Sequence, residues 1–219
     1  MNKIFEILNK YYGYNSFRKG QYEIISNILR GRDSFCILPT GAGKSICYQI
    51  PALMFNGITI VISPLISLMK DQVDNLNSNG INARYINSTQ KLEVSDEIIE
   101  LCKKGEVKLL YIAPEKLENE FFKRKLRLLN ISQIAIDEAH CVSMWGHDFR
   151  KSYGLIAEFI DNLRIRPVVT AFTATATEVV RKDVINLLKL RNPYICIGSF
   201  DRENLEIKLY IEEDKLELV

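Results

Sequence analysis

The sequence is poor in the residues that build metal sites. Among its 219 residues it has two histidines, His140 and His147, and no two cysteines in a C-x-x-C spacing. Its five cysteines stand far apart, at positions 36, 47, 102, 141 and 196, and most lie in apolar runs. Structural zinc sites need closely spaced cysteine and histidine ligands, so we expect no zinc in this segment. We expect buried free thiols in a reducing compartment.

Long apolar runs are also missing. Glu6 interrupts the apolar residues between Ile4 and Leu8, and no longer apolar stretch follows. Signal peptides and membrane spans need longer uninterrupted runs, so we expect a cytoplasmic protein with no membrane partner. The net charge is only +2, from 29 basic and 27 acidic residues. So small an excess produces no global field for nucleic acid, and any nucleic-acid site must be local.

The pattern along the chain alternates between short apolar runs and stretches with helical periodicity. The predicted strands are 35–38, 58–62, 83–86, 108–112, 133–136, 167–172 and 194–197. The predicted helices are 21–29, 45–55, 65–76, 94–103, 118–129, 152–163 and 178–188. Strands that alternate with helices indicate an α/β fold with a mostly parallel central sheet and helices on both faces. Ligands of such folds collect at the carboxyl ends of the strands.

The last part of the sequence differs from the rest. After a polar stretch at 198–204, apolar residues alternate with polar ones from Leu205 to Ile211, which is typical of a half-buried strand. We therefore expect one domain over residues 1–200, followed in 201–219 by a linker and the first strand of a truncated second domain.

A phosphate-binding loop is the most specific motif in the chain. Glycines 41 and 43 stand with Lys44 and Ser45 between a predicted strand and a predicted helix, and the loop also contains Thr40 and Ala42. Glycine lets the backbone approach a polyphosphate closely, and the N–H groups at the start of a helix hold anions. In such loops the lysine reaches the β- and γ-phosphates and the Ser hydroxyl ligates Mg²⁺.

The loop departs from the general motif at its first position. G-x-x-x-x-G-K-[ST] requires glycine at position 38, where this chain has Leu38. The form present resembles the loops of helicase and translocase ATPases more than those of small GTPases or kinases. The alternative is a chance cluster of these residues in a surface loop.

Two adjacent carboxylates follow a later apolar strand. Asp137 is placed to hold Mg²⁺, and Glu138 to polarise the attacking water, which are the roles that phosphoryl transfer requires beside a phosphate loop. An isolated Asp-Glu pair is usually a solvated surface feature. Its position after an apolar strand and downstream of Lys44 favours the catalytic interpretation.

Three nearby polar residues have two possible roles each. His140 is either structural or a residue that couples ATP to another site. Thr173 and Thr175 end a strand, where they either sense the carboxylates by hydrogen bonds or simply suit a strand end.

The chain resembles the first motor domain of RecQ-family DNA helicases, which belong to superfamily 2. The segments that carry the resemblance are 12–21 (YGYNSFRKGQ), 38–45 (LPTGAGKS), 61–72 (VISPLISLMKDQ), 111–115 (YIAPE), 137–140 (DEAH), 145–150 (WGHDFR) and 171–176 (AFTATA). The first and sixth are distinctive of RecQ, and several of the motifs are shared with other superfamily 2 helicases. The resemblance covers essentially the whole chain and implies a RecA-like domain.

The first of these segments recognises adenine in the family. By that match Tyr14 would stack on the base, Arg18 would pack near its other face, and Gln21 would pair with its hydrogen-bonding edge. An aromatic ring and a bidentate amide suit the π face and the polar edge of adenine. Tyr11 and Phe17 are expected to pack structurally instead.

The sixth segment resembles an aromatic-rich loop that couples DNA binding to hydrolysis. In it Trp145, His147, Phe149 and Arg150 would provide stacking surfaces and a phosphate contact. The residues alone favour core packing for Trp145 and Phe149.

Other segments concern contacts with the DNA backbone. The resemblance implies that Ser63 and Pro64 touch it, together with 113–115. The basic run at 123–127 is interpreted as a solvated helix face.

The resemblance implies an ATP-dependent 3′-to-5′ DNA helicase of recombination and repair. Its cofactors would be ATP and Mg²⁺, and its partners single-stranded and forked DNA and a second RecA-like domain in cis. The second domain would supply an arginine that stabilises transition-state charge, so we expect these residues alone to hydrolyse ATP very slowly and to unwind nothing. The alternatives are an RNA helicase domain, disfavoured by the aromatic loop and by histidine at position 140, and a nucleotide-gated nucleic-acid-binding module.

Overall fold

The computed structural model describes residues 3–198, which contain eight α-helices and seven strands. In chain order these are α1 (Lys3–Tyr12), α2 (Gln21–Leu29), β1 (Ser34–Ile37), α3 (Lys44–Met54), β2 (Ile58–Ile62), α4 (Ile66–Ser78), β3 (Ala83–Ile86), α5 (Leu92–Lys103), β4 (Leu109–Ile112), α6 (Glu120–Arg127), β5 (Ile131–Ile136), α7 (Leu155–Asp161), β6 (Val168–Thr173), α8 (Glu178–Leu187) and β7 (Tyr194–Ile197). Short 3₁₀ turns lie at Pro114–Glu118, Ala139–Val142 and Lys151–Gly154.

The strands form one sheet in the order β3-β4-β2-β5-β6-β1-β7, and every pairing within the described residues is parallel. Each parallel connection must cross over the sheet, and the helices supply those crossovers. The predicted fold class, a mostly parallel sheet flanked by helices on both faces, is confirmed.

Separate apolar cores lie on the two faces of the sheet. Along β1, Phe35 and Ile37 belong to the core under α5–α8, whereas Cys36 and the following Leu38 belong to the core under α2–α4. A strand that is buried on both faces must be apolar at successive positions, which explains the continuous apolar run.

The helix α1 is not among the predicted elements. Ile4, Ile7 and Leu8 lie on one face at helical spacing and form a third apolar cluster with Ile25 and Ile50, from α2 and α3. The pattern was available in the sequence, and the charged Glu6 lies on the outer face.

Aromatic packing secures the segment between α1 and α2. The ring centroids of Phe5 and Phe17 are 5.1 Å apart with edge-to-face geometry, and Tyr22 lies 5.5 Å from Phe5. Tyr11 is partly buried against the cores. The structural roles expected for Tyr11 and Phe17 are confirmed.

A buried carboxylate joins three strands at the amino edge of the sheet. Asp33 is 2% exposed and accepts two hydrogen bonds from the Arg166 guanidinium, at 3.1 and 2.7 Å. It also accepts from the backbone N–H groups of Val169 and Arg191. These bonds fix the starts of β1 and β6 and the segment before β7, and compensate the buried charge.

The opposite, carboxyl edge carries the candidate site. Parallel strands end at one edge, so the loops after β1, β2, β4, β5 and β6 are neighbours there. The linker and strand expected at 201–219, and with them the expected domain division, lie outside the described residues. Of the five cysteines, which are free thiols, four are buried and Cys196 is partly buried. No helix within 3–198 is long and apolar enough to cross a membrane.

Candidate functional site

The phosphate loop follows β1 and leads directly into α3. Gly41 and Gly43 have φ angles of +83° and +79°, in the left-handed region that glycine adopts without strain. A Cβ added at Gly43 would lie 2.5 Å from Gln21 Nε2, so a side chain there would displace the Gln21 amide from the loop. The exposed Thr40 and partly exposed Ala42 complete the turn, and Lys44 and Ser45 begin the helix.

Leu38 explains the departure from the general motif. Its side chain is 4% exposed and packs in the core under α2–α4, while its N–H donates to Thr173 O at 3.0 Å. The backbone at position 38 therefore continues β1, and an apolar residue there stabilises the core.

Gln21 and Arg18 support the loop from behind. The buried Gln21 amide donates from Nε2 to the carbonyl oxygens of Ala42 and Gly43, both at 3.1 Å, and its Oε1 accepts from Arg18 N–H at 2.9 Å. The Arg18 guanidinium donates to Gly41 O. Arg18 and Gln21, which are predicted to contact adenine together with Tyr14, thus hold the phosphate loop in this structure.

One cavity of about 430 Å³ joins these residues to the predicted catalytic groups. Its lining is Tyr14, Ser16, Arg18, Gln21, Thr40, Gly41, Gly43, Lys44, Ser45, Ile46, Leu68, Gln72, Asp137 and Glu138. The Tyr14 side chain is 53% exposed, so its ring is accessible from the cavity. The volume falls within the range of small-molecule sites.

The carboxylates Asp137 and Glu138 follow the end of β5, and both line this cavity. Lys44 Nζ lies 3.9 Å from Glu138 Oε1, which confirms that the loop and the strand end share one space. Glu138 has a φ of +46°, and such a conformation in a residue with a side chain is strained. This backbone turn lets Asp137 and Glu138 both face the cavity although they are adjacent in sequence.

The two carboxylates differ in electrostatic environment. Burial, and next the negative charge of Glu138, raise the pKa of the Asp137 carboxyl from 3.8 to about 6. The pKa of Glu138 is lowered, first by its hydrogen bond with His140 and also by the charge of Lys44. Glu138 is therefore ionised at neutral pH, and Asp137 carries a negative charge that its protein neighbours compensate incompletely.

His140 links the carboxylates to the end of β6. Its Nδ1 lies 2.8 Å from Thr173 Oγ1 and 3.3 Å from Glu138 Oε2. Because the Thr173 hydroxyl donates to Thr175 O at 2.9 Å, it accepts from His140, which places a hydrogen on Nδ1. Thr173 thus reaches the carboxylates through His140, and Thr175 takes part through its backbone while its side chain is exposed.

The segment after this turn is open to solvent. Trp145 is 76% exposed, Phe149 is 47% exposed, and His147 is exposed with its ring stacked on His140 at 4.1 Å between centroids. The core-packing interpretation of Trp145 and Phe149 is therefore wrong. Large apolar side chains exposed together usually mark a contact surface.

Arg150 connects this segment to the loops after β2 and β4. Its guanidinium donates to Pro64 O at 3.2 Å and to Asp148 at 3.4 Å, and it lies 4.0 Å from Glu115. The side chains of Ser63 and Pro64 are buried, and Ser63 Oγ has no hydrogen-bond partner within the part of the chain that the structure describes. Their contact with DNA stays a prediction.

The basic run at 123–127 lies on α6 and is largely paired with acids. Lys123 is 6% exposed and lies 2.9 Å from Glu120 and 3.5 Å from Glu158. Arg127 also pairs with Glu120, at 2.8 Å. The solvated-face interpretation is wrong for Lys123, because this residue is buried. Acidic residues on α6 and α7 compensate the charge of its ammonium group.

Sequence reasoning missed four residues that line the cavity, namely Ser16, Ile46, Leu68 and Gln72. Leu68 and Gln72 are four residues apart on α4, so they share one face of that helix. Their spacing was visible in the sequence, but the direction of that face depends on how α4 packs over β3 and β4.

Comparisons with known proteins show the family of the chain. A model of the DEAD/DEAH box helicase family matches residues 18–183. The chain is 51% identical to ATP-dependent DNA helicase RecQ of Bacillus subtilis, over 95% of this chain and 36% of that protein. It is 48% identical to the RecQ helicase of Pasteurella multocida, over 93% of this chain and 32% of that protein. The chain spans about a third of the length of the curated relatives it matches.

Solved structures with low sequence identity share the fold. The crystal structure of the DUF1998 helicase MrfA bound to DNA superposes with a TM-score of 0.74 at 19% identity, over 90% of this chain and 29% of that one. The helicase domain of Pyrococcus furiosus Hef gives a TM-score of 0.64 at 20% identity, over 82% and 37%. The fold is thus the RecA-like fold of helicase motor domains, and the chain belongs to the DEAD/DEAH box helicase family, in which it is similar to RecQ helicases.

Proposed function

We propose that the chain is the first motor domain of an ATP-dependent DNA helicase of the RecQ type. The observation that carries the proposal is the one cavity in which Lys44 lies 3.9 Å from Glu138 and whose lining also includes Tyr14, Arg18 and Gln21. Phosphate-binding, catalytic and base-stacking groups are thereby in reach of one nucleotide.

ATP is the proposed nucleotide. The loop from Thr40 to Ser45 supplies backbone N–H groups and Lys44 supplies a positive charge, and both suit the triphosphate. Tyr14 offers an accessible ring for adenine. For Gln21 to pair with the base, its amide must share or exchange its bonds to Ala42 and Gly43, so base recognition and loop position would be linked.

Mg²⁺ fits the oxygen donors present. Ser45 and Asp137 are hard oxygen ligands, and the raised pKa of Asp137 marks a buried charge that a divalent cation would compensate. No group of three or more His, Cys, Asp or Glu side chains within 3–198 could hold a metal by itself. Mg²⁺ at nucleotide sites typically has one or two protein ligands and takes others from phosphate and water, and when bound it neutralises charge that develops on the phosphates.

Hydrolysis is assigned to Glu138. Its lowered pKa keeps it ionised, so it can accept a proton from the attacking water. The His140 bond at 3.3 Å orients the carboxylate, while Lys44 stabilises charge on the phosphates.

Single-stranded and forked DNA are the proposed polymer partners. Trp145 and Phe149 are exposed for base stacking, beside His147, and Arg150 ties this segment to Pro64. The similarity to proteins that are named DNA helicases supports DNA as the substrate class. We further propose that the motor moves 3′-to-5′ along DNA and acts in recombination and repair. A second RecA-like domain in cis would begin within 201–219. The proposed location is the cytoplasm, on the nucleoid in a bacterium.

Equilibrium titration tests this proposal. The chain is titrated with a fluorescent, non-hydrolysable ATP analogue with and without Mg²⁺, and with labelled single-stranded DNA and RNA of equal length. We expect Mg²⁺-dependent binding of the analogue and tighter binding of DNA than of RNA. Tighter RNA binding would favour the RNA helicase alternative, and absence of analogue binding would contradict the assignment of the site.

A further inference from the structure

A buried hydrogen-bond network lies directly behind the candidate site. The Tyr48 hydroxyl on α3 and the Tyr111 hydroxyl on β4 both donate to Gln72 Oε1 on α4, at 2.9 and 2.8 Å. Tyr48 and Tyr111 are completely buried, and Gln72 is partly exposed in the nucleotide cavity. Three elements that are separate in sequence therefore meet at one amide oxygen.

The network continues away from the cavity. Tyr111 Oη accepts from Gln49 Nε2 at 3.1 Å, and Gln49 Oε1 accepts from the Tyr12 hydroxyl at 3.1 Å. Each bond thus has a defined donor and acceptor. A buried network that is satisfied in this way fixes the relative positions of its members, because each group left unpaired costs about 1–3 kcal/mol.

Each of the three elements is adjacent in sequence to a different proposed binding segment. Tyr48 lies one helical turn after Ser45, at the start of α3. Gln72 lies on α4, the helix that follows the 63–65 loop, and Tyr111 lies in β4, immediately before the 113–115 loop. Both loops are proposed to contact the DNA backbone, and Ser45 is proposed to hold Mg²⁺.

We infer that Gln72, held by Tyr48 and Tyr111, is a positioning residue. Through it, the binding of a DNA strand at the 63–65 and 113–115 loops alters the affinity of the phosphate loop for nucleotide. A bound DNA strand that shifts α4 or the end of β4 must also move α3, or else it leaves the buried hydroxyl of Tyr48 or Tyr111 unpaired. Such coupling is reciprocal, so nucleotide would change the affinity for DNA by the same factor. The inference rests on the proposed function and adds the contacts that connect its two binding sites.

Tyrosine-to-phenylalanine variants of the 219-residue chain provide a matched test: a double variant, a control and, as a fallback, one single variant. The variant Tyr48→Phe/Tyr111→Phe removes both donors to Gln72, and neither tyrosine lines the nucleotide cavity. The control Tyr12→Phe loses the same hydroxyl at the far end of the same network and keeps both bonds to Gln72. Thermal unfolding monitored by circular dichroism checks that each variant folds.

The measurement is the affinity for a fluorescent, non-hydrolysable Mg-ATP analogue with and without saturating single-stranded DNA. In the wild-type chain and in Tyr12→Phe, we expect DNA to change this affinity by roughly fivefold or more. In the double variant, we expect a change of less than about twofold, while the affinity without DNA stays within about threefold of wild type. If the double variant does not fold, Tyr48→Phe alone should reduce the coupling by at least about half, since it removes one of the two bonds that hold Gln72 Oε1 and leaves the bond from Tyr111 in place.

Three results would overturn the inference: undiminished coupling in the variants that lose a bond to Gln72, an equal loss in Tyr12→Phe, or a wild-type chain that binds both ligands independently. Failure of the wild-type chain to bind the analogue or DNA at all would instead contradict the proposed function. The two failures are distinguished by the single-ligand titrations.

Discussion

The turn at 137–140 and the loop at 144–150 follow one another in sequence but differ in physical character. In the turn, Asp137 and His140 are 5% exposed and the polar groups have protein partners, whereas in the loop Trp145 is 76% exposed. The turn completes its geometry within the domain, through His140, Thr173 and Lys44. The loop presents apolar surface that only a partner can cover. We infer that the proposed nucleotide site is built in advance and that the proposed DNA site is completed by binding.

The largest effect is expected from Glu138→Gln, which probes the pre-built turn. Gln cannot accept the proton from water, so ATP turnover should fall by about 10²-fold or more, while analogue binding persists. Single-turnover release of labelled phosphate, with protein in excess, measures the slow hydrolysis expected of these residues alone. Unchanged turnover would remove Glu138 from the catalytic role.

A smaller effect is expected from Lys44→Ala. It removes the cation predicted to contact the phosphates, and the loss of charge-assisted bonds should weaken binding of the Mg-ATP analogue by roughly 10²-fold. The exposed Lys104 supplies the matched control, since Lys104→Ala makes the same change far from the loop. Equal affinities of the two variants would refute the assignment of the phosphate loop.

The buried charge of Asp137 should lower the stability of the ligand-free domain. Its folded pKa of about 6 lies above the ordinary value of 3.8, so this carboxyl contributes stability below pH 4 that is lost as the pH rises through 6. Asp137→Asn removes the titration, so it should increase the free energy of unfolding at pH 7.5 by on the order of 2 kcal/mol and by much less at pH 4.

Urea unfolding in chelator at the two pH values measures the difference. The amide oxygen of Asn can still accept from Glu138 N–H, as Asp137 Oδ1 does at 3.1 Å. A gain in stability that is the same at both pH values would show that the charge is not its cause.

The smallest effect is expected from Trp145→Ala, which probes the open loop. Loss of a stacking surface should weaken binding of single-stranded DNA by about 1 kcal/mol or more, which is roughly fivefold, and should leave thermal stability unchanged. Fluorescence anisotropy with a labelled oligonucleotide measures the affinity. A marked loss of stability would mean that Trp145 supports the fold, which its exposure argues against.

Much of this architecture was predictable because local pattern and tertiary structure agree. Each predicted strand is present within a few residues, since the strands of a parallel sheet covered on both faces are mostly apolar. The loop at Gly41 and Gly43 was equally clear, because only glycine suits its backbone. Trp145 shows the limit: apolar character predicts burial, but a contact surface uses the same residues.

Contacts between distant segments were not predictable. Gln21 donates hydrogen bonds to the phosphate loop, and Tyr48 and Tyr111 both donate to Gln72. These bonds depend on how the helices pack over the sheet. The burial of Ser63 and Pro64 likewise depends on the neighbouring loops and on Arg150. No periodicity in the sequence encodes these distances.

The contrast between the two regions is tested most directly by titrating Lys44→Ala and Trp145→Ala each with both ligands, the Mg-ATP analogue and single-stranded DNA. The account predicts that Lys44→Ala loses affinity for the analogue and keeps DNA binding in the absence of nucleotide, and that Trp145→Ala does the reverse. If either variant lost both activities equally, or if neither lost its assigned one, the separation of a pre-built nucleotide site from an open strand site would be contradicted.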